Sequence, residues 1–410
     1  MRSALLTSVA IQSIGTLSLF ALVIAISRIG GPQAQGLFAT VKSWTDLLSA
    51  VGQLGLPQAF VYVINKGYAA PRPLFRMSVV YASAFGVVAG ITTVLAVLTE
   101  YLEVPHSVSL AAVAILLGAN VGGMTLHNLI RGILLPYSDG MWFALFSIAA
   151  PVVLAVSVTT MFLFFHAGLI ELAFALAGIL CGALAVLVGA FITKGRTEPS
   201  RIDFHVLVRQ SASTFALSVL LVLQPVLTIV LMKWWGADNH VIGLFNVAAM
   251  AMVISNVLFA MVSPTLFNRW SKSLSIADAR GLFLRMLRWA LLVAGLSLIA
   301  AALVPFLIVA IFGAAFAEAT GAAQILALGL APVFYNRMAS PAMLGLGLPH
   351  WNAAIAGARI VFIVLILLGL AWSGHGALSS AALAWTIAEW LTAALTLFAM
   401  TPRRAGRMIA

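Results

Sequence analysis

Five charged side chains lie inside hydrophobic stretches that are long enough to cross a membrane. They are Lys42 and Asp46, four residues apart, and then Arg337, Arg359 and Glu389 in the second half of the chain. A charge at the centre of a bilayer costs about 3 kcal/mol on insertion scales. Five such side chains facing lipid would cost as much as the whole net stability of a typical protein, roughly 5–15 kcal/mol. These residues must therefore be paired or face a water-filled cavity.

Two interpretations are open for each group of charges. Lys42 and Asp46 share one helix face, so they form either a self-neutralising pair or a cationic anchor for an anionic substrate, tuned by Asp46. Arg359 and Glu389 lie about 10 and 16 Å from the cytoplasmic ends of consecutive predicted helices, which favours an interhelical ion pair, structural or coupling. Arg337 has no acid nearby in its own helix. It either binds an anionic ligand in a cavity or extends to the cytoplasmic edge.

Two further basic residues, Arg28 and Arg209, lie at predicted helix ends, where arginine usually anchors a helix to the headgroups. We keep both as candidates for contact with an anionic substrate. The motifs GxxxxGK[ST], HExxH and GxSxG are absent from the sequence, so we predict no catalytic residue, no metal site and no cofactor. The candidate substrate-binding residues are Lys42, Arg337, Arg28 and Arg209.

The elements that must position these residues are hydrophobic segments. The chain has 410 residues, of which 63% are hydrophobic and 8% charged, whereas soluble domains have roughly 45–50% and 25%. Twelve crossings of about 20 residues would use roughly 240 residues and leave only short connections. We predict an all-α multi-pass membrane protein of about twelve helices at residues 4–27, 37–64, 77–98, 108–130, 142–165, 169–193, 211–232, 241–267, 286–312, 322–345, 352–372 and 377–400.

Basic residues are distributed unevenly over the loops between these segments. Counted over alternate loops and the two termini, 17 of the 22 lysines and arginines fall on one side, against Arg28 and Lys233 on the other. By the positive-inside rule both termini are cytoplasmic. Most of the net charge of +11 is thus explained by the basic residues of the cytoplasmic loops. This distribution favours anionic membrane lipids over nucleic acid as a partner.

A repeat divides the chain into two halves. At an offset of 207 residues, Gly36-Leu37-Phe38 matches Gly243-Leu244-Phe245, and Pro57 matches Pro264. The most polar connection, residues 194–205, lies near the midpoint and is the candidate linker. We predict two six-helix lobes, 1–200 and 201–410, related as parallel repeats around a central cavity.

Several short stretches resemble one family of membrane proteins. RIGGPQAQGLF from Arg28 and LGLP from Leu54 are similar to the first hairpin of the oligosaccharide flippases. These flippases form the polysaccharide-transport branch of the multidrug, oligosaccharidyl-lipid and polysaccharide exporter superfamily. Further similar stretches are GLFNVAA from Gly243, FGAAF from Phe312 and GALSSAALA from Gly376. The resemblance spans nearly the whole chain.

The resemblance implies a function for the bacterial inner membrane. Flippases of this kind move an undecaprenyl-pyrophosphate-linked oligosaccharide to the outer leaflet through a cavity between two lobes, and other polysaccharide assembly proteins are candidate partners. Basic residues in the cavity hold the pyrophosphate, which here suits Lys42, Arg337 and Arg28. Family members often carry an acid in helix 7, but residues 220–232 have none, so ion coupling through that helix is in doubt.

Besides a non-transporting scaffold, two other functions remain open from the sequence. An ion-coupled multidrug exporter would favour a cavity dominated by carboxylates, whereas the five intramembrane charges are three basic and two acidic. A membrane polysaccharide polymerase would need a large outer loop carrying acids and arginines, and the sequence shows none.

The topology can be tested with single cysteines in a Cys181→Ser background, since Cys181 is the only cysteine. Cysteines at positions 72 and 280 should be protected from an impermeant thiol reagent in intact cells, because their loops carry the cytoplasmic charge. Cysteines at positions 103 and 238 should react. Labelling of position 280 from outside would contradict the twelve-helix topology.

Overall fold

The computed structural model describes residues 2–103, 108–137, 141–165, 170–194, 202–250, 252, 276–345 and 349–399. All regular elements within these ranges are helices. Eight helices of the described residues are long and apolar enough to cross a membrane, or nine if one bent pair counts as a single span. The predicted all-α multi-pass membrane fold is confirmed.

Thirteen α-helices lie in the described residues, together with 3-10 helices at Leu135–Tyr137 and Ala314–Ala319. In chain order they are α1 (Arg2–Gln53), α2 (Leu56–Asn65), α3 (Pro71–Leu98), α4 (Leu110–Leu134), α5 (Met141–Phe165), α6 (Ile170–Thr193), α7 (Phe204–Trp234), α8 (Asn239–Ala248), α9 (Ile276–Phe312), α10 (Thr320–Ala327), α11 (Leu330–Gly345), α12 (Pro349–Trp372) and α13 (Ala377–Ala399).

These helices correspond to the twelve predicted segments, each of which overlaps at least one of them. The first two segments are joined in α1, the second continues into α2, and the tenth is the bent pair α10 and α11, with an angle of 50°. The end of the eighth segment, residues 253–267, lies outside the described residues. The hydropathy of the sequence predicts where the spans lie but not where they bend. A bend within an apolar segment does not change the mean hydropathy of that segment.

Two breaks divide the first two predicted segments. Gly31 has φ 66°, a left-handed conformation that glycine adopts without a steric cost. Pro32 follows, and it starts the next helical stretch well because the first helical N–H needs no partner. The second break lies at Leu54 and Gly55, with φ 47° and 71°, and again a proline, Pro57, lies in the first turn of the next helix.

The chain forms two compact units. Unit 1 comprises Met1–Gly30 and Leu37–Val226, and unit 2 comprises Gly31–Gly36 and Leu227–Ala410. The start of α7 belongs to unit 1, and two of its side chains form hydrogen bonds with the backbone at the break after α1. Ser211 Oγ donates to Leu54 O, and Thr214 Oγ1 donates to Gly55 O at 3.1 Å. The predicted division at residue 200 stays a prediction.

Glycines allow the helices of unit 1 to pack closely. Where α3 crosses α4, a Cβ atom on Gly118 would lie 2.6 Å from Gly86 O, and one on Gly90 would lie 2.9 Å from Ala114 O. Deeper in the unit, Asn120 Nδ2 on α4 donates to Phe174 O on α6 at 2.5 Å. Small residues and interhelical hydrogen bonds replace the hydrophobic effect, which does not drive helices together in lipid.

A glycine crossing in unit 2 displays the repeat directly. A Cβ atom on Gly36 would strike the carbonyl oxygen of Asn239, and one on Gly243 would strike the carbonyl oxygen of Pro32. Gly36 and Gly243 are 207 residues apart, and so are Pro32 and Asn239. The contact is therefore reciprocal, with equivalent residues of the repeat on both sides of the crossing.

Large apolar side chains cover the outer surface of several helices. Phe191 on α6 is 79% exposed and Phe306 on α9 is 74% exposed. Soluble proteins rarely expose apolar patches of this kind. Lipid is the solvent that suits this surface.

Gly118→Ala should destabilise the protein by about 1–3 kcal/mol, because the new methyl group would force α3 away from α4. Thermal unfolding of the purified protein in detergent would measure the loss as a lower midpoint.

Gly295→Ala on α9 is the matched control. No atom lies within 4 Å of its added methyl group, and alanine favours a helix over glycine by about 0.5–1 kcal/mol. The two substitutions should therefore shift the midpoint in opposite directions, and a Gly118→Ala protein as stable as wild type would contradict the close crossing.

Candidate functional site

A cluster of polar side chains joins α11, α12 and α13 inside unit 2. Arg359 Nε on α12 lies 3.1 Å from Glu389 Oε1 on α13, and the two side chains are 8% and 1% exposed. Asn336 Nδ2 on α11 lies 2.7 Å from Glu389 Oε2 and 2.9 Å from Thr392 Oγ1. The buried carboxylate thus has a cation at one oxygen and an amide donor at the other.

This arrangement meets the requirement that hydrocarbon sets for a buried charge. A buried carboxylate is tolerated when a cation and hydrogen-bond donors replace its water. Arg359 and Glu389 lie on consecutive helices of the chain, so a short connection is enough to bring them together. The structure places this pair where the sequence predicted an interhelical ion pair.

Arg337 belongs to the same cluster. Within its own helix the sequence gives it no acid, but in the fold it interacts electrostatically with both Glu389 and Arg359. Two guanidinium groups and one carboxylate leave these three residues with a net charge of +1. The residue as a whole is half-buried, and its guanidinium lies in the interior beside Arg359 and Glu389.

The core of unit 2 fixes the orientation of α11. Tyr335 and Ala339 are buried, 2% and 1% exposed, and they pack with Met286 of α9 in one apolar cluster. Each helical residue advances by about 100°, so Arg337 lies about 200° around the helix from Tyr335. The apolar face therefore points Tyr335 into the core and leaves Arg337 on a different face.

Lys42 and Asp46 form an ion pair on α1 in unit 1. Their side chains are 31% and 50% exposed, so this pair is far more accessible than the pair in unit 2. Trp44, between them in sequence, holds the helix against α3 through a hydrogen bond of 3.1 Å from its Nε1 to Thr93 Oγ1. The helical stretch begins at Pro32, so Lys42 lies about 15 Å along it.

The other two candidate residues are Arg28 and Arg209. Both are exposed, Arg28 three residues before the break in α1 and Arg209 in the first turns of α7. Lys42, Arg28 and Arg209 all belong to unit 1, and Arg337 belongs to unit 2. Within single units, the structure brings together Lys42 with Asp46, and Arg337 with Arg359 and Glu389.

The sequence analysis missed one buried acid. Glu171 lies in the first turn of α6 and is only 3% exposed. An acid in the first turn favours a helix through its dipole, so the sequence pattern resembles an ordinary exposed helix start. Only the packing of α6 against α4 and α5 shows that the residue is buried.

A metal site finds no support in the described part of the chain. No group of three His, Cys, Asp or Glu residues there could hold a metal ion.

Solved structures of transporters resemble the whole chain. No protein-family model and no curated protein sequence matches it. An inward-facing multidrug resistance MATE family transporter of the MOP superfamily has a TM-score of 0.73 and 16% identity, covering 98% of both chains. The lipid II flippase MurJ, in an inward closed conformation, has a TM-score of 0.76 and 15% identity, covering 95% of this chain and 87% of MurJ.

A third similar structure differs in its pocket. It is a MOP superfamily transporter from Pyrococcus furiosus whose binding pocket has reversed polarity, suggesting a different function, with a TM-score of 0.64 and 15% identity over 99% of this chain and 96% of the other. At these identities the similarity concerns the fold. The chain shares its fold with the MATE transporter and with MurJ.

Proposed function

We propose that the protein is a flippase that moves an undecaprenyl-pyrophosphate-linked oligosaccharide from the cytoplasmic to the outer leaflet of a bacterial inner membrane, for surface polysaccharide synthesis. One observation carries the proposal: the carboxylates of Asp46 and Glu389 each contact a cation, and Arg337 adds a further positive charge beside Glu389. Together with Arg359 and Glu389, Arg337 gives this described cluster of unit 2 a net charge of +1.

Positive charge is what the headgroup of such a substrate needs. A pyrophosphate cannot enter hydrocarbon without its water unless other groups replace that water. Arginine does so efficiently, because its planar guanidinium donates two parallel hydrogen bonds to phosphate oxygens. The polyprenyl chain is apolar and can remain in lipid throughout.

The fold supplies a means of movement. In transporters built from repeats, one repeat rocks against the other around a site near the middle of the membrane. MurJ, which shares this fold, is by its name a flippase of lipid II. The predicted partners of the present protein are accordingly a lipid-linked oligosaccharide, the surrounding lipids and other polysaccharide assembly proteins.

An ion-coupled multidrug exporter is the main alternative, because MATE transporters also share the fold. A cationic drug or a coupling cation needs a carboxylate that is not neutralised by the protein. Asp46 and Glu389 are each engaged by a basic side chain, which favours the flippase. Glu171, buried at the start of α6, is the acid that an exporter would have to use instead. A membrane polysaccharide polymerase is less favoured, because the similar structures reported above are those of transporters.

Deletion of the gene should leave the lipid-linked oligosaccharide on the cytoplasmic leaflet and remove the surface polysaccharide. When expressed in the deletion strain at normal protein abundance, the Arg337→Ala variant should not restore export. The Arg337→Lys variant should restore only part of the export, because an ammonium group cannot make the bidentate contact. Surface polysaccharide and leaflet-resolved lipid extracts measure both effects.

The controls separate the alternatives. Loss of the intermediate itself on deletion would indicate an assembly enzyme, and loss of drug resistance alone would indicate an exporter. If Arg337 is structural, alanine should lower abundance while the remaining protein still transports. Normal export by a well-expressed Arg337→Ala protein would contradict the role of Arg337 and shift the anchor to Lys42.

Glu389→Gln should lower the free energy of unfolding by about 3–5 kcal/mol, because Arg359 would keep a buried charge without its counterion. The double variant Arg359→Gln with Glu389→Gln should recover most of this loss and should still export, because the pair stabilises the lobe and carries no coupling ion. A double variant that is stable but inactive would instead identify Glu389 as a coupling acid.

A further inference from the structure

A polar cavity lies in unit 1, where α4 and α5 meet the junction of α1 and α2. Its volume is about 170 Å³, and its polar lining consists of Gln53, Gln58, Asn128 and Arg131. None of the described residues that line it is an aspartate or a glutamate. The sequence analysis counted Arg131 only as one of the cytoplasmic basic residues.

The guanidinium of Arg131 is held in place by three neighbours. Its Nε donates to Ser147 Oγ at 3.0 Å, and its Nη1 donates to Asn128 Oδ1 at 3.2 Å. Its Cζ lies 5.2 Å from the centre of the Phe143 ring, a distance at which a cation is attracted to the ring face. Ser147 Oγ is itself fixed by donating to Phe143 O at 2.6 Å.

These contacts leave donors for a ligand. A guanidinium has five N–H groups, and two of them are used by Ser147 and Asn128, so three remain without a hydrogen bond to any residue that the structure describes. The side-chain amides of Gln53 and Gln58 also make no hydrogen bond within the described residues. Among the described residues, the cavity therefore offers one fixed positive charge and several N–H donors, with no carboxylate in its lining.

The size and depth of the cavity define the ligand further. A volume of about 170 Å³ holds several waters at roughly 30 Å³ each, which is enough for a phosphate group and too little for an oligosaccharide. Arg131 is three residues from the end of α4, about 5 Å along the axis. By the predicted topology that end lies at the cytoplasmic headgroups.

We propose that this cavity binds the phosphate group of a lipid headgroup, with Arg131 as the cationic donor and Gln53 and Gln58 as neutral donors. The same chemistry suits two sources, a resident anionic phospholipid or the pyrophosphate of a transported lipid. The site goes beyond the proposed function, because a resident phospholipid would occupy it whatever the protein transports.

Binding to the purified full-length protein in detergent tests the site with two probes, dioleoyl phosphatidylglycerol and farnesyl pyrophosphate, titrated in native mass spectrometry. Arg131→Gln should raise the Kd of the bound probe by about tenfold or more, as expected for hydrogen bonds to a charged group. Arg131→Lys should raise it less, because it keeps the charge and loses the planar fork. Dioleoylglycerol, which lacks phosphate, should bind equally to all variants.

Arg76→Gln is the matched control. Arg76 is exposed on α3, on the same predicted side of the membrane, and does not line the cavity. Its replacement should leave both Kd values unchanged. Equal weakening by Arg76→Gln and Arg131→Gln would show general charge attraction and overturn the site.

Gln58→Leu keeps the test decisive if Arg131→Gln fails to fold, because the exposed Gln58 side chain can be replaced without disturbing the Arg131 contacts. It should weaken binding several-fold.

Weaker phosphatidylglycerol binding identifies a resident phospholipid, and weaker farnesyl pyrophosphate binding identifies the transported headgroup. Unchanged binding of both probes to Gln58→Leu and to every folded Arg131 variant overturns the site, whereas failure of the export experiment alone leaves the phospholipid result standing.

Discussion

Hydrocarbon solvates ions poorly, and this constraint decides where the charged residues of the protein can lie. Glu389 is 1% exposed and is supported by Arg359 on one side and Asn336 on the other. These three residues come from three helices, so the carboxylate fixes how α11, α12 and α13 pack. The position of Arg337 beside this cluster follows from that packing.

The same constraint connects stability with function. A carboxylate neutralised inside a lobe is poorly suited to capture a cation, while an extra arginine at its edge is well suited to an anion. In unit 1 the contact of Lys42 with Asp46 and the fixed guanidinium of Arg131 are two different solutions to the same problem. One cancels the charge, and the other surrounds a cation with neutral acceptors and an aromatic ring.

Close backbone approach is the second physical basis of the fold. Lipid gives apolar helices no hydrophobic reason to associate, so van der Waals contact and interhelical hydrogen bonds must hold them together. Gly86 and Gly118 allow this between α3 and α4, and Gly36 and Gly243 allow it between α1 and α8. The reciprocal contacts of the latter pair with Asn239 and Pro32 extend the sequence repeat to the level of packing.

The sequence by itself determined the fold class, the approximate helices and the candidate charges, because hydropathy and the cost of intramembrane charge are local properties of the chain. Only the tertiary structure decided that Arg337 lies beside Glu389, that Glu171 is buried, and that Arg131 lines a cavity. Those facts depend on neighbours distant in sequence. Likewise, the residues around the bend at Leu54 and Gly55 do not show in the sequence that α7 packs there. That contact depends on Ser211 and Thr214, which are distant in sequence and donate hydrogen bonds to the carbonyl groups of Leu54 and Gly55.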